Sequence, residues 1–223
     1  MNLWLIVGFP LWIGIGYTIF YTFLHFAGGK ETIAKFGHRG FFLYPIFVFA
    51  LLITIILNTP LPDGYWFQIN NSTEIDIVII SIVTGIVTGI LLYNLEFLFN
   101  RVSNNSGQGI LLPAPLVFLL PITLVVVISE EIIWRGYLIG LISDRFGYTI
   151  IVSGLLSAII FGAHHYFFGW RAFLSKTLSA MVWMALVYQF HSLIPALFAH
   201  FTADSILWYK SSVDKRKSEV NKV

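Results

Sequence analysis

The sequence has 223 residues, of which 57% are hydrophobic and only 11% carry a charged side chain, and its mean hydropathy is +0.83. Soluble domains contain roughly 25% charged residues, so this composition excludes an ordinary soluble protein and indicates several membrane spans. A net charge of +2 is too small to indicate nucleic-acid binding, and the lack of cysteine excludes disulfides and thiolate chemistry. We therefore expect one integral membrane domain over residues 1–209 and a basic cytoplasmic tail over residues 210–223.

The apolar runs predict seven transmembrane helices, since a span needs about 20 predominantly apolar residues. The predicted spans cover approximately residues 3–26, 41–57, 75–99, 116–143, 148–164, 171–190 and 194–209. An eighth span could lie within 110–121, where prolines favour a short interfacial or re-entrant segment instead. Gly85 and Gly89 form a GxxxG pattern in the third span, which would let another helix approach closely. The predicted fold class is an all-α polytopic helix bundle.

Lysine and arginine residues in the short loops predict the orientation, because cytoplasmic loops are enriched in both. With seven spans, the loop at 28–39, Arg101 and Arg171 fall on the same side as the basic tail. Asp63 and Glu74 fall on the opposite side. We therefore expect the N-terminus outside and the C-terminus in the cytoplasm, in a plasma membrane.

An acidic pair, Glu130 and Glu131, interrupts the fourth predicted span. A carboxylate near the centre of a bilayer costs at least about 2.5–3.5 kcal/mol, so such residues usually face the bundle interior and mark a functional site. Glu131 and Arg135 stand four residues apart on one helical face, and we expect them to form a structural ion pair. Glu130 points about 100° away from Glu131, and no basic residue stands three or four positions from it in the sequence, which makes it the residue to explain.

Histidine and aspartate residues add polar positions to two further spans. His164 and His165 close the fifth span, and His200 lies in the seventh span one turn before Asp204. A buried hydrogen bond between helices would explain any one of these residues alone. Acids and imidazoles in three spans together favour a catalytic site. Lys176, by contrast, is expected to extend its ammonium group to the cytoplasmic interface.

Hydrolysis is the chemistry that fits these residue types. A glutamate in a low-dielectric site binds a proton more readily, and beside a histidine it can take a proton from water that attacks a carbonyl. A second histidine can donate to the developing oxyanion. Histidines and a glutamate could equally hold a zinc ion with an open water position. The sequence contains neither the HExxH pattern of helical zinc proteases nor a GxSxG elbow.

Three short motifs follow one another with defined spacing between residues 129 and 208. They are Glu130-Glu131-x-x-x-Arg135, Phe161-x-x-x-His165 and His200-x-x-x-Asp204. This pattern resembles the signature of the CPBP family, the CAAX prenyl proteases and bacteriocin-processing intramembrane endopeptidases. The resemblance implies a helical intramembrane peptidase with a conical cavity that opens to the cytosol.

The resemblance also implies a role for each motif residue. Glu130 and His165 would activate the water, while His200 and Asp204 would polarise the scissile carbonyl. Many family members have asparagine at the position of Asp204, and an aspartate can donate to an oxyanion only when it is protonated. The supporting residues would be Glu131, Arg135, Phe161 and His164. If a divalent metal such as zinc is bound, its ligands would be Glu130, His165 and His200.

The expected function is hydrolysis of a peptide bond in a membrane-associated substrate, either a prenylated protein or a leader peptide. A bacteriocin self-immunity role is as consistent with the resemblance as CAAX cleavage. The alternatives from another class are a non-catalytic membrane scaffold and a proton-coupled transporter that uses the same buried residues. A transporter is expected to show an internal repeat, and no clear repeat is visible. The expected partners are a peptide or protein substrate and the lipid bilayer.

Overall fold

The computed structural model describes residues 46, 48–57, 74–101, 116–166 and 170–220. This part of the chain is helical apart from short turns, which confirms the predicted helical bundle for the described residues. Its elements are α1 (Val48–Leu57), α2 (Glu74–Arg101), α3 (Leu116–Glu131), a π-helix (Ile132–Leu138), α4 (Ile139–Phe146), α5 (Ile150–His164), α6 (Trp170–Phe190) and α7 (Ile194–Val220).

Helix α2 provides the clearest membrane span. Within the described ranges, Ile75–Phe97 is the one helical segment long and apolar enough to cross a bilayer, while Val48–Leu57 and Ile150–His164 are apolar but shorter. The predicted first span and most of the segment 110–121 lie outside the described residues. The count of seven or eight spans therefore stays a prediction. Helix α7 runs without interruption to Val220, so the predicted basic tail begins as an extension of the last helix.

The GxxxG pattern of α2 sets its contact with α7. A Cβ atom added to Gly85 would lie 2.5 Å from the carbonyl oxygen of Pro195, and one added to Gly89 would collide with the carbonyl oxygen of Ala199. The two backbones can therefore meet only because these positions have no side chain, which confirms the prediction of a close helix approach. The contact also brings Glu96, two turns beyond Gly89, to the side of α7.

Substitution of Gly89 is expected to separate α2 from α7. Leucine at Gly89 would overlap the α7 backbone, and overpacking of this kind typically costs about 1–3 kcal/mol. We expect Gly89→Leu to lower the apparent melting temperature in detergent, measured by size-exclusion chromatography after heating. Val87→Leu is the matched control, because Val87 lies on the same helix with half of its surface exposed. Equal stability of the two variants would show that the close approach is not needed.

Helix α5 approaches α6 in a similar way. A Cβ atom at Gly162 would collide with Thr177 Oγ1 and lie 2.7 Å from the carbonyl oxygen of Phe173. About two turns earlier on α5, Gly154 leaves room for the side chain of Met184. This packing brings the end of α5, where the two adjacent histidines lie, close to α6.

A π-helix follows the acidic pair directly. Residues 116–143 are helical throughout, as predicted, but the helix is not a regular α-helix. Residues Ile132–Leu138 form wider π turns between α3 and α4. The Ser157 hydroxyl of α5 donates a 2.6 Å hydrogen bond to the carbonyl oxygen of Trp134 inside this segment. Such π segments are rare and often lie at functional sites. The apolar pattern did not predict the segment, because every residue type in it also suits an α-helix.

Removal of the Ser157 hydroxyl is expected to destabilise the π-helix. Ser157→Ala leaves the buried Trp134 carbonyl without this donor, and an unsatisfied buried polar group costs about 1–3 kcal/mol. Ser153 is the matched control, since it lies one turn earlier on α5 and its buried hydroxyl has no hydrogen-bond partner in the described part of the chain. We expect Ser153→Ala to unfold at the wild-type temperature or above it and Ser157→Ala clearly below it. The opposite order would contradict this role.

Candidate active site

The imidazole of His200 lies at the centre of the acidic residues. Its Nδ1 atom is 2.8 Å from Glu131 Oε1, while its Nε2 atom is 3.6 Å from Glu130 Oε2 and 3.4 Å from Asp204 Oδ2. Because a carboxylate oxygen accepts a hydrogen bond, Nδ1 donates to Glu131. The two adjacent glutamates thus contact opposite nitrogens of one ring, which their divergent directions on the helix make possible.

Arg135 of the π-helix neutralises Glu131, the last residue of α3. Its Nη1 atom donates to Glu131 Oε1 over 2.9 Å, and only 2% and 0% of the two side chains are exposed. This confirms the predicted ion pair. The guanidinium also lies 4.5 Å from the ring centre of Phe161 and 4.9 Å from that of Trp183. Glu131 is therefore held between a cation and the His200 ring, while Glu130 lies on the other side of that ring.

Two aromatic side chains fix the orientation of the His200 ring. Trp183 of α6 stacks on it with 4.0 Å between ring centres and 20° between planes, and Phe161 of α5 meets it edge-on at 6.0 Å. Phe161 was predicted as a supporting residue from its motif. Trp183 was not, because nothing in the sequence distinguishes a tryptophan in the middle of a span from an ordinary apolar core residue.

His165 caps the C-terminal end of α5, and its ring contacts a backbone carbonyl of that helix. Its backbone N–H donates to the carbonyl oxygen of Gly162, so the carbonyl of Phe161 is left for the ring Nδ1 atom, 2.9 Å away. A carbonyl only accepts, so Nδ1 carries the proton and Nε2 of the neutral ring is an acceptor. The ring also lies 4.6 Å from that of Phe161, which connects it to the aromatic side chains around His200.

His164 faces the π-helix. Its side chain is buried, and its ring lies 6.1 Å from that of Trp134 and 5.4 Å from that of His165. Adjacent histidines at a helix end thus have separate surroundings, as expected for neighbouring positions on a helix.

Lys176 does not extend to the membrane interface, and the prediction that it does was wrong. The residue is only 9% exposed, and its Nζ atom lies 3.2 Å from Asp204 Oδ1 and 3.5 Å from Glu96 Oε2. The carboxylates of Asp204 and Glu96, both half-buried, attract the ammonium into the bundle. Glu96 of α2 was missed by the sequence analysis, although an acid in an apolar span is the same signal that singled out Glu130.

The predicted metal ligands do not surround a common point. In the described part of the chain, no group of three or more histidine, aspartate and glutamate side chains could hold a metal ion. The oxygens of Glu130 and Asp204 both face the same nitrogen of His200, at 3.6 Å and 3.4 Å. The ligand set that the sequence allowed, Glu130, His165 and His200, is therefore not found as a metal-holding group in the described residues.

Residues 112–206 match the family model described as type II CAAX prenyl endopeptidase, Rce1-like. This segment is an Rce1-like domain. It contains all the predicted motif residues, from Glu130 to Asp204, and confirms the predicted resemblance to the CPBP proteases. The match spans a little less than half of the chain and begins after the end of α2 at Arg101, so Glu96 lies outside it. No curated protein and no solved structure matches the chain.

The Rce1-like domain supports a relation to CAAX-type intramembrane proteases, which agrees with the apolar composition and with the span in α2. It supports a hydrolase at the membrane that acts on a peptide substrate. It gives no support for a bacteriocin-immunity role or for a metalloprotease.

Proposed function

We propose that this protein is an intramembrane peptidase that uses water activated by Glu130 to hydrolyse a peptide bond in a membrane-associated substrate. One observation carries the proposal: within the Rce1-like domain, Glu130 Oε2 faces His200 Nε2 at 3.6 Å in a buried cluster. A water molecule on the carboxylate and a carbonyl oxygen on the imidazole would then be neighbours. Addition of water to a carbonyl requires this proximity.

Glu130 acts as the general base and then as the general acid. It takes a proton from water while the oxygen of that water bonds to the carbonyl carbon. The C–N bond then breaks, and Glu130 returns the proton to the leaving amine. His165 assists, since hydrogen bonding through Nδ1 leaves its Nε2 atom as an acceptor for the second proton of the water.

His200 stabilises the oxyanion. Both of its ring nitrogens face carboxylate oxygens, and only a doubly protonated ring can donate at both positions. The Nε2–H group is then the donor to the carbonyl oxygen as negative charge develops there. Asp204 accepts a hydrogen bond from Lys176. Its role is therefore to orient the His200 ring and to compensate the positive charge of that ring, rather than to donate a hydrogen bond to the oxyanion.

The substrate is a peptide held at the bilayer by a prenyl group or by its own apolar segment. The proposed orientation in a plasma membrane, with the C-terminus in the cytoplasm, would place such substrates on the cytoplasmic side. The test is cleavage of three peptides with one shared sequence: farnesylated at cysteine, unmodified, and extended by an apolar leader. Purified wild-type protein in detergent is expected to cut at least one of them at a single bond, as measured by mass spectrometry.

The three peptides also separate the substrate classes. Cleavage of the farnesylated peptide alone would assign a CAAX-type substrate, and cleavage of the leader peptide alone would assign leader processing. If folded wild-type protein cuts none of the three, the peptidase proposal is contradicted. Binding of one of them without cleavage would then indicate a non-catalytic membrane protein.

A further inference from the structure

A second charged cluster adjoins the proposed site and contains residues from three helices. Lys176 of α6 contacts Asp204 of α7 and Glu96 of α2, with nitrogen to oxygen distances of 3.2 Å and 3.5 Å. The exposed fractions of the three side chains lie between 11% and 21%, so solvent screens these charges only in part. The ammonium group of Lys176 therefore links α6 to both α2 and α7 through ion pairs.

Asp204 joins this cluster to the His200 ring. Its Oδ1 atom accepts a hydrogen bond from Lys176 Nζ, while its Oδ2 atom lies 3.4 Å from His200 Nε2. Both oxygens are bonded to the same carbon atom, so a contact that holds one oxygen also restricts where the other can lie. The position of Lys176 thus determines which way Asp204 presents its second oxygen to the ring.

The charges around Lys176 show what its removal would do. Without the ammonium, the carboxylates of Asp204 and Glu96 would remain close together with Glu130 near the same ring. Like charges in a partly buried region repel strongly because the local dielectric constant is low. Loss of one partner from a buried ion pair also leaves the other charge without compensation. Asp204 would then be expected to move away from the ring.

We propose that Lys176 is a positioning residue, which holds Asp204 against His200 by compensating the charges of Asp204 and Glu96. This inference rests on the proposed function of the site. The proposed role of Lys176 extends the active site beyond the Rce1-like domain, because Glu96 belongs to α2 and precedes residue 112. The part of the chain before that domain therefore contributes a charged group to the site as well as a span.

The first test compares two substitutions of Lys176 with each other. Lys176→Met keeps much of the side-chain volume and removes the charge, whereas Lys176→Arg keeps the charge. Misplacement of a catalytic group by about 1 Å can cost 100-fold in rate, so we expect kcat to fall by about 10-fold to 100-fold in Lys176→Met with KM within about twofold. Lys176→Arg is expected to keep most of the activity. Wild-type kcat in a folded Lys176→Met variant would overturn the proposal.

The second test is a double-mutant cycle that needs no cleavage assay. Asp204→Asn removes the charge that Lys176 compensates, so Lys176→Met should lower the apparent melting temperature much less in the Asp204→Asn background than in wild type. Where Lys176→Met alone does not fold, the double variant is expected to fold. Additive effects of the two substitutions, or a double variant that also fails to fold, would overturn the proposal.

Lys210→Met is the control for both tests. Lys210 is an exposed lysine on α7 whose Nζ atom lies 4.5 Å from the ring centre of Tyr93 on α2, so it also bridges these helices. Its substitution is expected to change stability equally in the wild-type and Asp204→Asn backgrounds. A wild-type protein that cuts no peptide contradicts the proposed function but leaves the thermal cycle unaffected, so failures of the two proposals are distinguishable.

Discussion

Glu130→Gln is expected to reduce kcat by a factor of about 100 to 10,000 while the protein stays folded, because general acid–base catalysis typically contributes that much. Glutamine keeps the size of glutamate and can still face His200 Nε2, which lies 3.6 Å from the carboxylate oxygen. An amide cannot accept the proton of the attacking water. The measurement is kcat for cleavage of the preferred peptide, with the apparent melting temperature determined on the same samples.

Asp144→Asn is the matched control for this substitution. Asp144 lies on α4 with an exposed side chain, so the same exchange of carboxylate for amide removes an acid outside the cluster. Its kcat should equal that of the wild type. A folded Glu130→Gln variant that cleaves at the wild-type rate would contradict the role of Glu130 as general base.

Glu131→Ala is expected to be the most destabilising substitution in the cluster. Glu131 is completely buried and accepts from both Arg135 Nη1 and His200 Nδ1. Its removal leaves a buried guanidinium and a ring donor without their acceptor, and breaking a buried pair in this way costs about 3–5 kcal/mol. We expect this loss in the free energy of unfolding, measured by titration of the folded protein with denaturing detergent.

The double variant Glu131→Leu/Arg135→Met separates loss of an ion pair from loss of packing. Replacement of both members of a buried pair by apolar residues of similar volume is often neutral or stabilising, so this variant should recover much of the stability that Glu131→Ala loses. It is not expected to recover activity, because His200 still lacks its acceptor at Nδ1. Equal destabilisation of both variants would show that the charges of this pair are not what stabilises the cluster.

The sequence predicted those features whose physical cause is local or has a fixed spacing. Glu131 and Arg135 pair because residues four apart share a helical face, and Gly85 and Gly89 allow a close contact because neither has a side chain. The three motifs also contain four residues that contact His200, namely Glu130, Glu131, Phe161 and Asp204. These features depend on the order of residues along one helix.

Other features depend on which helices become neighbours, and the sequence does not contain that information. Lys176 was placed at the membrane interface because it lies near the start of its span, but carboxylates from α2 and α7 hold it in the bundle. Trp183 is part of the site only because α6 lies against α7 at His200. The divergent directions of Glu130 and Glu131 were correctly predicted, but the single ring that both contact became visible only in three dimensions.

In the proposed mechanism, water activated at Glu130, and not a side chain of the protein, attacks the peptide bond. Single-turnover cleavage in isotopically labelled water, followed by mass spectrometry of peptide and protein, tests it most directly. We expect a label in the new carboxyl group of the wild-type product, no product from Glu130→Gln, and no peptide attached to the protein at any time. A covalent peptide–protein intermediate, or labelled product from Glu130→Gln at the wild-type rate, would contradict it.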